Sequence, residues 1–439
     1  MLNLRLQPVL VRLFIYIAAV SAVNNGLART PVMGWNTWNR FVCGINEELI
    51  LSSAKLLVST GLKDAGYNYV NVDDCWHAPE RASDGSPAWD PNTFPRGIKA
   101  LADDVHDLGL KFGIYSSAGT MTCQRRFGSL GYEEIDAKAY AEWGVDLLKY
   151  DNCFNDGLFG NETVSYAKMA NALNATGRPI VYSMCNWGQD LSWTWAGKIA
   201  NMWRMSGDIS DDFDGYDSRC PCLQLENCTE FGYYCSAVRI LDWAAAMLEY
   251  SEPGAWNDLD MLEAGTYVGN GGMSYDEYVS HFSLWALVKS PLILGNDLAQ
   301  MSDETLEIIT NDAIIAANQD PLGVPAKRVW KRDDLELWAG PLHDGSTVVA
   351  VLNTADHNQT IDLEFSDLPS HLSGTKYTAY DLWQKADDSS SSSELKTRWG
   401  RVIGAYEASI PSVELKLHQT RVFKIVPEDD VRKFVVQVQ

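Results

Sequence analysis

Two aspartates in this chain have neighbours suited to nucleophilic and acid–base work. In Leu147-Leu148-Lys149-Tyr150-Asp151-Asn152-Cys153 an apolar run ends with a lysine and an aspartate two positions apart. On a strand that spacing turns both side chains to one face, where an ammonium neighbour keeps a costly buried carboxylate ionised. A desolvated, ionised aspartate is what attack on an electrophilic carbon requires, although a structural ion pair uses the same residues. In Trp203-Arg204-Met205-Ser206-Gly207-Asp208 a second aspartate follows an apolar run, on a loop where it can give and take a proton. Two carboxyls with opposite ionisation tendencies are what glycoside hydrolysis needs. Other apolar runs also end in polar or aromatic residues: Asp73-Asp74, Tyr115, Cys185-Asn186-Trp187, and Trp256-Asn257-Asp258 with Asp260. A carboxylate after a strand often caps the next helix, and Asp74 and Asp260 fit that use best when taken singly. Capping does not explain several carboxylates sharing one mouth with Lys149 and Arg204. The seven histidines include no His-x-x-x-His pair, and no Gly-x-Ser-x-Gly elbow is present, so His77 and His106 read as surface or supporting residues.

A shared mouth requires strands whose ends meet. Candidate strands are Val32–Asn36, Tyr67–Asp73, Leu110–Tyr115, Asp146–Asp151, Pro179–Ser183, Met202–Met205, Ala255–Asp258 and Pro291–Leu294. Helical patterns separate most of them, including Glu47–Ala65, Gly97–Leu108, Glu133–Trp143, Ser165–Thr176 and Ser236–Glu249. Strand-then-helix repetition means parallel strands with right-handed crossovers, and eight units in roughly 250–300 residues match a closed (β/α)8 TIM barrel. The rival is an open doubly wound sheet, which usually carries a Gly-rich phosphate loop after an early strand; none appears. After Pro321 and Pro325 the pattern changes to short alternating runs: Leu335–Ala339, Thr347–Leu352, Ile361–Phe365, Lys376–Asp381 and Val413–Leu417. These predict an antiparallel β-sandwich packed on the barrel, with Ser389–Ser393 as a surface loop. The expected division is a leader over 1–26, the barrel over 27–322 and the β domain over 323–439.

The formal net charge of −23 over 439 residues argues against nucleic acid or an anionic membrane as partner. Sixteen tryptophans and nineteen tyrosines fit both a large core and stacking on sugar faces. Arg5 and Arg12 precede the apolar run Leu13–Val20 and then small residues suited to cleavage near Ala22 or Ala28, the pattern of a secretory leader. A membrane anchor is the alternative, but spanning takes about 20 apolar residues and this run is shorter. Secretion gives meaning to the sequons at Asn161, Asn174, Asn227 and Asn358, and it permits disulfides. The nine cysteines all lie between Cys43 and Cys235, with Cys220, Cys222, Cys228 and Cys235 crowded together. In an oxidising compartment two disulfides suit that cluster better than zinc, and the odd total leaves one thiol over.

The runs Pro31-Val32-Met33-Gly34-Trp35-Asn36-Thr37-Trp38, Val72-Asp73-Asp74-Cys75-Trp76, Leu147–Cys153, Trp203–Asp208 and Trp256-Asn257-Asp258-Leu259-Asp260-Met261-Leu262 together closely resemble family 27 of the glycoside hydrolases. That family holds the secreted and lysosomal α-galactosidases and α-N-acetylgalactosaminidases, and the resemblance runs from about residue 27 to the end. It implies a retaining mechanism with Asp151 as nucleophile and Asp208 as acid/base, and no metal or organic cofactor. It also implies that Asp73 and Asp74 bind the galactose O4 and O6 hydroxyls, that Lys149 and Arg204 hold ring hydroxyls, and that Trp38, Tyr115 and Met261 complete the pocket. By family pairing the disulfides are Cys43–Cys75 and Cys123–Cys153. The four clustered cysteines then make two more bridges of open connectivity, leaving Cys185 as a free thiol on the pocket wall.

Two positions depart from the family pattern. Many relatives carry Glu or Gln where Asn186 stands, and the long Asp211–Cys235 loop resembles the fungal branch. Cys185 and the bulky Trp187 occupy the wall that an N-acetyl group would need, which disfavours α-N-acetylgalactosaminides. Relatives preferring β-L-arabinopyranosides lengthen one aspartate of the Asp73-Asp74 pair to glutamate, and this chain keeps both. The resulting expectation is a secreted enzyme releasing terminal α-galactosyl residues from oligosaccharides or galactomannan. A galactose-binding protein without turnover is the reading from another class, and it would be expected to lack Asp151 or Asp208.

Overall fold

The computed structural model describes residues 25–155, 162–220, 233–266, 272–368, 375–386 and 398–428. Residues 1–24 of the expected leader, Asn161, Asn227, Cys222, Cys228 and the Ser389–Ser393 run lie outside the described residues.

Short runs with apolar residues on both faces and polar residues gathered at their ends suit a parallel sheet wrapped by helices. Eight such strands are present: β1 Met33–Asn36, β2 Tyr69–Asn71, β3 Lys111–Ser117, β4 Leu147–Asp151, β5 Val181–Cys185, β6 Met202–Arg204, β7 Trp256–Asp258 and β8 Leu292–Leu294. Within them only Lys111 and Lys149 escape full burial. They pair in the order β7-β6-β5-β4-β3-β2-β1-β8. The ring closes beyond the end of β7, where the Leu262 N–H donates to the Ile293 carbonyl at 2.7 Å and Leu262 accepts from Gly295 at 3.2 Å. Tyr69, Leu147, Val181, Met202, Trp256 and Ile293 fill the interior together with Val32 and Met261. The architecture is therefore the expected (β/α)8 barrel.

The helices keep the expected order with changed ends. The stretch Glu47–Ala65 is two helices, Glu47–Ser59 and Leu62–Ala65, because Gly61 between them takes φ +83°. Ser236–Glu249 is an α-helix only over Ala237–Ala244, followed by a tighter turn at Leu248–Tyr250. Helix Tyr275–Leu287 opens on a capping box between Ser274 and Glu277. Among the described residues no helix is long and apolar enough to cross a membrane.

Eight antiparallel strands follow: β9 Lys327–Arg332, β10 Leu335–Pro341, β11 Thr347–Asn353, β12 Gln359–Glu364, β13 Tyr377–Lys385, β14 Trp399–Tyr406, β15 Ser409–Leu415 and β16 Thr420–Pro427. A six-stranded sheet, β14-β13-β16-β11-β10-β9, faces the pair β12-β15. Between them lie Val349, Val351, Leu363, Ile410, Phe423 and Ile425. The opposite face of the large sheet, with Trp338, Val348, Ala350 and Val422, belongs to the same apolar core as the barrel helices. Both faces of β11 are consequently buried.

Candidate active site

Parallel register sets which strand ends meet. Tyr115 pairs with Lys149, Ser117 with Asp151, and Asp151 with Cys185. Alternation along β4 then turns Lys149 and Asp151 to the same side. They open into one cavity of about 610 Å³, together with Trp38, Asp73, Asp74, Tyr115, Cys185, Trp187, Arg204, Asp208 and Met261. Every predicted catalytic and substrate-binding residue thus borders one space of a size suited to a small ligand.

Asp151 is 5 % exposed. Its Oδ2 accepts from the Tyr115 hydroxyl at 2.9 Å and its Oδ1 from the Asn152 N–H at 3.0 Å. Burial pushes its carboxyl up to about 7; the Lys149 charge and the two donors pull it down, while the Asp208 charge pushes it further up. The expected direct ion pair between Lys149 and Asp151 is not formed. The Lys149 ammonium lies 2.8 Å from Asp73 Oδ2 and reaches Asp151 only through space, so burial outweighs it at Asp151. For Lys149 itself burial lowers the pKa, but Asp73 and the other nearby anions prevail and hold it raised and charged.

Asp73 is fixed by three neighbours: Asn36 Nδ2 donates to Oδ2 at 2.8 Å, Lys149 to the same oxygen, and the Asp74 N–H to Oδ1 at 2.9 Å. Asp74 accepts from the Cys75 N–H at 2.7 Å and from the Gln124 N–H at 2.9 Å. It caps no helix; it ties the β2 loop to the β3 loop. Behind it the buried His77 stacks on Trp76 and is kept neutral by burial, so it is a supporting residue and not a surface one. His106 pairs with Asp146 at 2.7 Å, away from the cavity.

Arg204 organises the other wall. Its Nη2 lies 2.8 Å from Asp260 Oδ2 and 3.1 Å from Asp208 Oδ1, and it donates to the Gly207 carbonyl at 2.9 Å. Asp260 also accepts from the Ile209 N–H at 2.9 Å, and its backbone sits at φ +83°. It is an anchor for the Asp208 loop, not a helix cap. The Asp208 side chain is 46 % exposed, in contrast with buried Asp151. Burial holds the Cys185 thiol well up and therefore neutral, and its Sγ lies 3.8 Å from Arg204 Nη1.

Asn186 turns away and donates to the Gln189 carbonyl at 2.8 Å, forming the turn that carries Trp187. Asp258 points beneath the cavity, where burial pushes it up to about 6. Residues of the cavity that the sequence reading did not single out include Asn39, Glu263, Tyr233 and Tyr234. Asn39 donates to the buried Glu263, whose carboxyl is raised well up by burial. Tyr233 and Tyr234 are exposed, with Arg219 stacked on Tyr234 at 3.7 Å.

Disulfides join Cys43 to Cys75, Cys123 to Cys153 and Cys220 to Cys235, and Cys185 is a buried free thiol. The last bridge fixes one pairing that spacing left open. Cys123, Cys153 and Asp151 place metal-ligating atoms close together, but the two sulfurs are bonded to each other and offer no thiolate.

A closed parallel barrel with a carboxylate-lined pit at its strand ends, backed by an antiparallel sandwich, is an arrangement that glycoside hydrolysis can use. The family models described as "Alpha galactosidase A" and "Alpha galactosidase C-terminal beta sandwich domain" match residues 30–320 and 332–425. An α-galactosidase of Lachancea cidri is 48% identical over 390 residues, covering 84% of this chain and 82% of that protein. The crystal structure of α-galactosidase I from Mortierella vinacea is 45% identical with a TM-score of 0.85, covering 92% and 99% of the two chains. A structure of an α-galactosidase from Saccharomyces cerevisiae with raffinose is 39% identical with a TM-score of 0.87, covering 93% and 100%. The chain belongs to the α-galactosidase family, family 27 of the glycoside hydrolases.

Proposed function

We propose that the chain is a secreted, retaining exo-α-galactosidase acting on galacto-oligosaccharides. The observation that carries this is the unlike pair in one cavity: Asp151, buried and held by two donors, and Asp208, half-exposed on a loop pinned by Arg204. Asp151 attacks the anomeric carbon while the glycosidic C–O bond breaks and Asp208 gives its proton to the leaving oxygen. Water then adds to the same carbon as Asp208 takes back a proton and Asp151 departs. The Asp208 charge raises Asp151, so removing that charge eases ionisation of the Asp151 carboxyl. Tyr115, raised well above its ordinary value by burial, stays a hydroxyl donor to the Asp151 anion.

Asp73, Asp74, Lys149 and Arg204 take the ring hydroxyls, each already oriented by its own bonds, so little freedom is lost on binding. Trp187 and Cys185 fill the space of an N-acetyl group, and the retained Asp73-Asp74 pair favours galactose over arabinose. Tyr233 and Tyr234 at the cavity edge supply rings for the aglycone sugar, in keeping with a relative studied with raffinose. Secretion rests on the leader pattern, the disulfides and the exposed sequons at Asn174 and Asn358. Hydrolysis of p-nitrophenyl α-galactoside, compared with the α-N-acetylgalactosaminide and β-L-arabinopyranoside, tests the assignment. Turnover of none of the three would sink it, and an inverted first-formed sugar by proton NMR would sink the retaining mechanism.

A further inference from the structure

A second cleft, of about 630 Å³, lies where helix Tyr275–Leu287 meets the sandwich, and it shares no residue with the active-site cavity. Its polar floor is built. Asp381 is 1 % exposed and accepts from Arg421 Nη2 at 2.6 Å and from Gln384 Nε2 at 3.0 Å. Beside it the Thr420 hydroxyl is buried and has no hydrogen-bond partner among the described residues. Aromatic side chains share the lining. Tyr275 is 43% exposed, and Trp383 is locked by its indole N–H on Ser283 Oγ at 2.9 Å. Rings together with a carboxylate, amides and an unmet hydroxyl are the chemistry of saccharide recognition. Acidic Asp276, Asp381 and Glu414 are offset in part by Lys416 and Arg421, which suits a neutral ligand better than an ion.

The rim names the occupant. Asn358, in the sequon Asn358-Gln359-Thr360, borders the cleft and is exposed. Its Oδ1 accepts from the Leu417 N–H at 3.2 Å, and its Nδ2, the atom that carries an N-glycan, donates to no group among the described residues. A sugar attached there is present at millimolar effective concentration, so a shallow cleft suffices to hold it. We propose that this cleft is the seat of the first N-acetylglucosamine of a glycan on Asn358, which fastens the sandwich to the barrel helix. The inference rests on the secretory part of the proposed function and is independent of the catalytic assignment.

The test uses the full chain secreted from a glycosylating yeast. Peptide mass spectrometry reads occupancy of Asn358, and an unmodified Asn358 in the secreted protein overturns the proposal. With the site occupied, endoglycosidase trimming to a single N-acetylglucosamine is expected to leave Tm unchanged. N358Q and T360A, which both abolish the glycan, are expected to lower Tm by about 2 °C or more. Y275A is expected to cost the same, and Y275A/N358Q no more than either alone; additive losses overturn the proposal. Turnover of p-nitrophenyl α-galactoside stays unchanged in all of them, so failure of the catalytic reading is scored separately. A crystal structure of the trimmed protein showing the sugar in solvent, or raffinose in the cleft of N358Q, also overturns the assignment.

Discussion

Replacing Asp208 by Asn should make Asp151 easier to ionise. In the native site burial pushes Asp151 up to about 7, and the Asp208 charge contributes to that rise. Two unit charges about 5.5 Å apart, the spacing of retaining enzymes, interact by roughly 3 kcal/mol at an effective dielectric of about 20. The Asp208 side chain is 46 % exposed and paired with Arg204, so solvent and the guanidinium screen most of that. A residue of about 1–1.5 kcal/mol corresponds to roughly one pH unit. The sign follows from charge: removing a negative neighbour favours the Asp151 anion and lowers its pKa. The assay is stopped-flow release of a dinitrophenolate from its α-galactoside, because that leaving group needs no protonation. The acidic limb of the glycosylation rate should move down by about one pH unit in D208N relative to wild type. Loss of the base also slows the second step, so a glycosyl adduct should accumulate on the Leu147–Cys153 segment and be visible by mass spectrometry. An unmoved or upward-shifted limb, or an adduct elsewhere, would refute the coupling between the two carboxyls.

Tyr115→Phe removes a hydrogen bond to a charged acceptor, so kcat/KM should fall roughly 10–100-fold and the acidic limb should move to higher pH, read from a pH–rate profile. Asp73→Asn breaks a buried pair and leaves Lys149 without its anion; thermal or urea unfolding should show a loss of about 3 kcal/mol, with a raised KM. Trp187→Ala opens the wall beside Cys185, and the ratio of kcat/KM for α-N-acetylgalactosaminide over α-galactoside should rise by about tenfold or more. Tyr233→Ala should raise KM for raffinose while leaving p-nitrophenyl α-galactoside nearly unchanged, because only the longer substrate reaches that ring.

Residue patterning carried the barrel because eight doubly buried strands leave continuous apolar runs between helical stretches. It carried the membership of the pit for the same reason: strand-end residues of a barrel share one face. Partners across the pit were less legible. Spacing along β4 fixes the face of Lys149 but not that Asp73, two strands away in the ring, captures it. Asp260 looked like a cap because its left-handed backbone and its contact with Arg204 are both set by tertiary packing. In the sandwich, β9 was hidden by its charge, since Lys327–Arg332 is an exposed edge with few apolar residues. Tyr233 and Tyr234 line the cavity next to Cys235, whose bridge to Cys220 is a tertiary tie that local patterning does not track.

Seven of the eight joints in the barrel ring are ladders between neighbouring strands; the eighth is the bridge at Leu262, made by two backbone hydrogen bonds. Asp260 and Met261, both on the cavity wall, are the two residues leading into that joint. This stretch of the cavity wall is therefore also the clasp of the ring. A ligand gripping that wall tightens the clasp, and by linkage a looser clasp weakens the grip. A change at Asp260 or Met261 therefore touches the cavity wall and the closure of the ring at once.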